Sequence, residues 1–444
     1  MRAEMIAEGR ESRIAKRSRA VESSGRTWLA LLALALGGFA IGATEFVAMG
    51  LLPSLASDLL PGLYAESQER ANAQAGWIIS AYALGVVVGA PTIAAAAAGW
   101  PRKRLLLWLL VAFTLATLAS ALLPTFGLVM IARFVAALPH GAYFGIASLV
   151  AASLMGPAKR GQGVAFVLSG LTIANVVGVP AITWVGQHHR WRAAYLIVTC
   201  IFALTLVAVW RFVPWQPGND AASVRGELGA FKSLQVWLTL LVGSIGFGGL
   251  FAVYTYVAPL VTERAGLPAA AVPWILIVIG LGMTVGNLVG GRYADINVAW
   301  AMFVFFALLI TSLVALALTA QSLVGLLTAL FFVGLASAAI APCIQTRLMD
   351  VARDSQSIAA ALNHSALNVA NSLGAYLGSV AIAAGLGYIS PVWIGIVLSM
   401  LGVSIAAFAF GLDRMGARST SRLRAAESIL IDNRRASRSP SLCR

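Results

Sequence analysis

Two charged residues stand inside otherwise apolar stretches of this sequence, and their side chains are the best placed to do chemistry. Glu45 lies within the stretch 28–52 and Arg133 within 126–151. A charged, unpaired carboxylate deep in hydrocarbon costs about 2.5–3.5 kcal/mol, so it is favoured to bind a proton. We therefore predict that Glu45 carries a proton or interacts with a charge on the substrate. A structural carboxyl, hydrogen-bonded between helices, is the alternative.

Arg133 keeps its proton in any protein environment, so it must face protein or water and find a partner. Paired with a protonatable group, it would tune that group's proton affinity, and we predict this role in proton coupling. The alternatives are a fixed tie between two helices, or a side chain that extends to the end of its helix.

Two histidines also fall in apolar stretches, and histidine titrates near physiological pH. His140 follows Pro139 in the stretch that holds Arg133, and His364 lies in 357–384. His140 is predicted as a proton relay, with a hydrogen-bonded core histidine as the alternative for both.

Uncharged polar residues give the candidates for substrate binding. Asn175, Asn363 and Asn371 lie in two further apolar stretches, and Tyr254 lies in a third. Amides in lipid either bind a ligand or join helices, and both roles stay open for the three asparagines. Tyr254 is predicted to line an amphipathic pocket, with a packing role between helices as the alternative.

The elements that must position these residues are membrane-spanning helices. Of 444 residues, 59% are hydrophobic and 11% charged, and the mean hydropathy is +0.86, whereas soluble chains are about 45–50% apolar and about 25% charged. The apolar residues form stretches long enough to cross about 30 Å of hydrocarbon as helices. We predict twelve spans, with the ninth and tenth divided at 319–322: 28–52, 75–98, 105–123, 126–151, 163–185, 192–213, 234–260, 272–291, 298–319, 323–345, 357–384 and 391–412.

The net charge of +14 is placed as expected for a membrane protein rather than for one that binds nucleic acid. Seven basic residues precede the first span and eight follow the last, while the loops on the opposite side hold only Arg70, Arg190, Arg192 and Arg264. This bias predicts that both termini are cytoplasmic in a bacterial inner-membrane protein. The tails are predicted to be solvated, with contact to anionic lipid as the alternative. The first stretch is too long for a signal-peptide core, so we expect an uncleaved first helix.

The sequence divides into two similar halves. A polar segment, 214–233, separates the half 28–213 from the half 234–412, with basic tails at 1–27 and 413–444. Gly85 and Gly89 in the second span match Gly282 and Gly286 in the eighth. Small residues at this spacing let helices approach closely in lipid. Two similar halves around a mid-membrane site predict alternating access, in which one half rocks on the other.

Several motifs together resemble the major facilitator superfamily, in its twelve-span drug:proton antiporter branch. The segment 132–141, from Ala132-Arg133-Phe134 to Pro139-His140-Gly141, resembles that family's fourth-helix arginine motif, and 170–180 resembles its fifth-helix exporter motif. Thr44-Glu45-Phe46 is similar to the first helix of bacterial sugar, purine and chloramphenicol-type efflux permeases. The resemblance implies an all-α fold of twelve helices in two pseudo-symmetric halves. It also implies proton coupling through Glu45 and Arg133, and bending of the fifth helix at Gly178 and Pro180.

The loop between the second and third spans departs from the family pattern. Arg102, Lys103 and Arg104 are present, but Ala98 occupies the acidic position and Pro101 replaces a glycine. The second half keeps Gly291 and Asp295 at the corresponding place, so an ion-pair latch is predicted there through Asp295.

The leading hypothesis from the sequence is export of a small organic solute (drug, sugar or nucleoside-like) in exchange for protons. Import by proton symport on the same fold is the alternative. No nucleophile–base pair, metal-ligand cluster or phosphate-binding Gly-rich loop with Lys and Ser/Thr is found, and three scattered cysteines do not predict a disulfide framework. We therefore expect no enzyme activity, no cofactor, no metal and no nucleic-acid partner. The expected partners are the solute, protons and lipid, bound by a monomer.

Overall fold

The computed structural model describes the backbone of residues 2–96, 100–156, 160–217, 232–352 and 356–436, and side chains within 25–93, 100–156, 163–217, 232–352 and 362–415. Every regular element in these ranges is helical. Ala98 and most of the predicted central loop (218–231) lie outside the described residues.

Within the described residues, eleven segments are long and apolar enough to cross a membrane. Ten have 21–30 residues, whereas Ala269–Thr319 has 51, about twice one crossing. This segment is broken at Asn297 (φ −160°, ψ 98°), whose side-chain oxygen accepts a hydrogen bond from the backbone N–H of Trp300 at 3.0 Å and so caps the following helix. Divided there, the spans are consistent with the predicted twelve.

We number the spans along the chain as α1 Gly25–Gly50, α2 Gln68–Ile93, α3 Arg102–Leu122, α4 Phe126–Met155, α5 Gly163–His189, α6 Trp191–Phe212, α7 Leu234–Thr255, α8 272–296, α9 298–319, α10 Leu323–Ala352, α11 Leu362–Ala383 and α12 Ser390–Met415. The predicted break at 319–322 is present, since one helix ends at Thr319 and the next begins at Leu323. The helices that extend furthest beyond their spans are Arg2–Gly50, Gln356–Ala383 and Ser390–Ala436. Much of both predicted tails is therefore helical.

The first and seventh spans end at matching breaks. Leu51 (φ −111°, ψ 12°) follows α1 and Tyr256 (φ −108°, ψ 22°) follows α7. Pro53 comes shortly after the first break, at the start of the short helix Leu52–Leu59. Pro259 comes shortly after the second break, at the end of the short helix Val257–Pro259. A proline removes a helical hydrogen bond, which accounts for spans that end earlier than predicted.

The repeated glycines make equivalent contacts in the two halves. In the first half, Gly85 and Gly89 of α2 lie against the backbone of Phe134 and Leu138 in α4. In the second half, Gly282 and Gly286 of α8 lie against the backbone of α10, at Phe331 and Leu335. A Cβ at any of the four would collide with a carbonyl oxygen of the neighbouring helix. The small-residue spacing predicted close helix–helix contacts at these glycines, and the structure has them.

The two halves are joined mainly at one end of the bundle. We call the end where α1 begins and α12 finishes the terminal end, and the opposite end the far end. At the far end, the Asn72 amide donates to the Tyr388 hydroxyl at 2.8 Å and the Ser379 hydroxyl donates to the Ala73 carbonyl at 2.8 Å. Trp77 Nε1 donates to Ser379 Oγ at 3.0 Å. Among the described residues, no hydrogen bond or ion pair joins the halves at the terminal end.

Candidate coupling and substrate site

Glu45 lies at the centre of the bundle, where the two halves meet. It belongs to α1, its side chain is only 6% exposed, and Asn371 Nδ2 of α11 donates to its Oε1 at 3.4 Å. The next residue, Phe46, packs against two rings of α7, Phe251 and Tyr254, at centroid distances of 6.4 and 5.5 Å. The one carboxyl group found at mid-span among the described residues is therefore in contact with the opposite half.

Arg133 is fully buried in α4 and is held by α1 one residue before Glu45. Its Nη1 donates to Thr44 Oγ1 at 2.8 Å and its Nη2 to the Thr44 carbonyl oxygen at 2.7 Å. The guanidinium also lies over the Tyr82 ring, 4.2 Å from the centroid. Among the described residues Arg133 forms no ion pair, so it is tied to the backbone beside Glu45 rather than to its carboxylate.

Tyr82 joins Arg133 to a row of rings that includes both predicted histidines. Its hydroxyl lies 3.3 Å from Nδ1 of His140, which is buried in α4. Phe144, one turn further along α4, packs beside His140 and stacks on His364 of α11 with centroids 5.6 Å apart and planes 3° from parallel. The row crosses from the first half to the second and lies next to the Glu45 contact.

The predicted substrate residues divide between two places. Tyr254 and Asn371 lie at the Glu45 contact, and both carry a buried oxygen that has no hydrogen-bond partner among the described residues. Asn363 is also buried with an unpaired Oδ1, eight residues before Asn371, or about 12 Å along α11 at 1.5 Å per residue. Unpaired buried polar atoms are costly, about 1–3 kcal/mol each, so their concentration in α7 and α11 marks a surface suited to a polar ligand.

Asn175 is separate from this group. It lies in α5, within the π-helical turn Ala174–Gly178, and its amide donates to the Leu171 carbonyl at 3.1 Å. Its own backbone packs against Gly280 of α8, where a Cβ would lie 2.5 Å from the Asn175 carbonyl oxygen. Asn175 thus belongs to the other contact between the halves, formed by α5 and α8.

The predicted gating residues of the fifth helix shape its packing on α1. Gly178 ends the π-helical turn, and a Cβ there would lie 2.6 Å from the Phe39 ring. Pro180 opens the helix that follows, Val179–His189. A π-helical turn often marks a functional site, and here it stands where α5 contacts both α1 and α8.

The predicted gating residues of the loops lie at the terminal end, away from Glu45. Lys103, between Arg102 and Arg104 at the start of α3, donates to the Trp210 carbonyl at the end of α6 at 2.8 Å. Gly291 lies in open space. Asp295 is exposed and has no ion pair with a described residue, so its latch stays a prediction.

An ion pair that was not predicted does occur at this end of the second half. Arg347 of α10 pairs with Asp413 of α12 and also donates to Gln235 Oε1 at 3.1 Å. Its guanidinium lies 4.7 Å from the centroid of the Phe410 ring. The sequence shows that Arg347 and Asp413 lie near the ends of their spans. It does not show that these two helix ends are neighbours, so the ion pair could not be predicted.

Sequence reasoning also missed Tyr82 and the far-end hydrogen bonds. Polar residues in the second and eleventh spans, such as Ser80 and Ser379, were visible in the sequence. Ser80 Oγ donates to the Ser372 carbonyl at 3.3 Å, which adds a further link between α2 and α11. Such pairings depend on how each helix is rotated, and rotation is not evident from single spans.

These features define a class of protein: a multi-pass helical membrane protein of two similar halves, with ionisable and amide side chains buried between them. The sequence profile of the Major Facilitator Superfamily matches residues 34–375 and 274–443. The chain belongs to the Major Facilitator Superfamily and is a membrane transporter, not an enzyme.

Named relatives agree with this assignment. The chain is 35% identical over 388 residues to the "Inner membrane transport protein YdhP" of Escherichia coli K12, covering 87% of this chain and 96% of the relative. It is 33% identical over 382 residues to the "Chloramphenicol resistance protein" of Streptomyces lividans, covering 85% and 95%. The fold is similar to that of a D-xylose-proton symporter, with a TM-score of 0.67 at 16% identity over 84% of this chain and 97% of that one.

Proposed function

We propose that the protein exports a small amphipathic organic solute across the inner membrane in exchange for protons. The observation that carries the proposal is the contact between Glu45 and Asn371, which places a protonatable group on the boundary between the two halves. A carboxyl group at that boundary changes its surroundings whenever the halves rock, and alternating access requires such a group if it is to couple transport to protons.

The coupling follows from the neighbours of Glu45. In the described state the far end is tied together and Glu45 lies against the second half, beside the fixed charge of Arg133. When the halves part at the far end, Asn371 withdraws and the carboxyl group is reached from that side. Proton binding then removes the negative charge beside Arg133, and this change favours solute release. On return, loss of the proton to the terminal side prepares the site for the next solute.

The proposed direction rests on the fifth-helix motif and on one relative. The Streptomyces protein is named for chloramphenicol resistance, so we take chloramphenicol as the first solute to test. Rings of Phe46, Phe251 and Tyr254 beside the amide of Asn371 suit a solute with an aromatic part and polar groups. Proton-coupled import is the second candidate, since a similar fold occurs in a symporter, but that likeness concerns the fold alone.

The proposal is tested by solute uptake into everted membrane vesicles from cells that lack their major efflux pumps. With respiration supplying an inside-acid gradient, the wild type should accumulate labelled chloramphenicol, or another solute found by a resistance screen, and a protonophore should abolish it. Glu45→Gln should reduce energised uptake at least tenfold. Glu66→Gln, which removes an exposed carboxylate at the far end, is the matched control and should leave uptake unchanged.

Two results would contradict the proposal. Full uptake in the presence of the protonophore would remove the proton as the driving ion. Energised loss of a preloaded solute from everted vesicles, rather than accumulation, would reverse the direction and support the importer.

A further inference from the structure

A basic cavity lies at the terminal end of the first half, far from Glu45. Residues from the ends of four spans form it: Arg26 and Leu29 of α1, Lys103 of α3, Leu154 of α4 and Arg211 of α6, followed by 212–214. Its volume is about 500 Å³, within the range of about 300–1,000 Å³ that is typical of small-molecule sites. The cavity is therefore large enough to hold a ligand head group.

Among the residues whose side chains are described, the three cations of this cavity have no acidic neighbours. The acidic residues whose side chains are described within 25–213 are Glu45 at mid-span and Asp58, Glu66 and Glu69 at the far end. None of the three cations forms an ion pair with a described residue, and Lys103 is held in place by the Trp210 carbonyl. The described side chains of the cavity therefore carry a net positive charge, which favours the binding of an anion.

The topology of a membrane protein does not by itself account for this arrangement. The bias of basic residues toward one side requires cations near helix ends, but it does not require them to converge on one cavity. Cations from α1, α3 and α6 line the same space. The other cations at this end of the first half whose side chains are described, Arg102 and Arg104, do not line it.

The surroundings indicate that the anion belongs to a lipid. Three exposed indoles, of Trp28, Trp210 and Trp215, mark the level of lipid head groups, where tryptophan is enriched. Along α1 and α6 below the cavity, Leu32 and Leu204 are exposed apolar side chains, on which acyl chains can lie. A free anion would make no use of either feature.

We propose that this cavity binds the phosphate of an anionic phospholipid, such as phosphatidylglycerol, from the leaflet at the terminal end. Arg26 and Arg211 would contact the phosphate oxygens and Lys103 would approach from the wall, because basic pockets between spans recognise such head groups. The bound lipid would join the ends of α1, α3 and α6 and so stabilise the first half as a unit.

The test is native mass spectrometry of the full-length protein in detergent, titrated with dioleoyl-phosphatidylglycerol. The wild type should bind the first molecule at least tenfold more tightly than it binds dioleoyl-phosphatidylcholine. Arg26→Gln with Arg211→Gln should weaken phosphatidylglycerol binding about 30-fold, which corresponds to about 1 kcal/mol for each basic residue near a membrane surface.

Two matched variants separate the cavity from general charge. Arg292→Gln with Arg414→Gln removes two exposed cations from the terminal end of the second half and should change binding less than about twofold. Arg26→Lys with Arg211→Lys keeps the charge and should retain most of the affinity, which also shows that substitution at these exposed positions leaves the fold intact.

The proposal is overturned if the Arg26/Arg211 glutamine pair binds phosphatidylglycerol as tightly as the wild type does, or if the two lipids bind the wild type equally. Displacement of the lipid by inorganic phosphate at equal concentration would assign the cavity to a free anion instead, and would also overturn it.

Discussion

At the scale of the residue, the central feature is that Arg133 and Glu45 are neighbours without being an ion pair. Arg133 donates twice to Thr44 and stacks on Tyr82, so its position depends on the planar fork of the guanidinium. Lysine carries the same charge on a single ammonium group and cannot reproduce both hydrogen bonds and the stacking.

We therefore expect Arg133→Lys to reduce the initial rate of energised transport at least tenfold at equal protein level. Thr44→Ser, which keeps the hydroxyl and the carbonyl that Arg133 contacts, should retain at least half of the wild-type rate. A charge-only role for Arg133 would instead leave the lysine variant close to the wild type in the same vesicle assay.

The sequence was sufficient to identify both charged residues as intramembrane but not to define their contacts. The free-energy cost of inserting a charged side chain depends on its depth in the bilayer, and its position within an apolar stretch of known length indicates that depth. Contacts depend on the rotation of α1 against α4 and α11. For this reason the proximity of Tyr254 and Asn371 to Glu45 is evident only in the structure, which places Asn175 at the α5–α8 contact instead.

At the scale of the element, the far-end hydrogen bonds between α2 and the α11–α12 region hold one conformation. Asn72 and Tyr388 form one of them, and burial raises the pKa of Tyr388 to about 12. The hydroxyl therefore keeps its proton throughout the physiological range, and this link should not respond to pH. Each such bond contributes about 0.5–1.5 kcal/mol to the closed far end.

Tyr388→Phe should accordingly raise exposure of the interface to the far side by about 2- to 10-fold. The measurement is the labelling rate of Ser372→Cys by a membrane-impermeant maleimide in whole cells, with the three native cysteines replaced by serine. Tyr64→Phe, at the same end, is the control and should leave the rate unchanged. Equal rates in all three backgrounds would show that the Asn72–Tyr388 bond does not hold the far end closed.

The repeated glycines give a second prediction for the elements. Gly286→Ala places a Cβ against the backbone of Leu335, whereas Gly291→Ala enters open space five residues further on. Overpacking of this kind costs about 1–3 kcal/mol. We expect Gly286→Ala to lower the midpoint of thermal unfolding in detergent by several degrees and Gly291→Ala to leave it unchanged. If Gly286→Ala unfolded at the same midpoint temperature as the wild type, α8 and α10 would be able to move apart with no loss of stability, which would contradict the prediction.

At the scale of the whole molecule, the six-plus-six arrangement was predictable because it depends on properties that a sequence displays directly. Span length, a polar segment near the middle and paired glycines are all visible in the chain. The structure adds the matching breaks at Leu51 and Tyr256 and the join at the far end. The exact position of each break could not be derived from the sequence, because a proline limits a break only to within one helical turn. The join at the far end could not be derived either, because which end of the bundle is closed depends on many weak contacts.

The charge asymmetry leads to a prediction about orientation. A green fluorescent protein fused after Arg444 should be fluorescent, because both termini are expected in the cytoplasm, where that protein folds. Alkaline phosphatase fused at the same place should be inactive, and fused after Gly62, in the far-end segment, it should be active. The opposite pair of results would invert the molecule in the membrane and with it the direction of transport proposed above.

The central claim is that Glu45 exchanges protons against solute, and the most direct test is a proton-flux measurement on purified protein in liposomes. With a pH-sensitive dye inside the liposomes and solute added outside without an imposed gradient, the account predicts that the interior becomes alkaline, because protons leave as solute enters. Glu45→Gln should abolish this proton movement while Glu66→Gln preserves it. Protons that enter together with the solute, or a flux that survives in Glu45→Gln, would contradict the account.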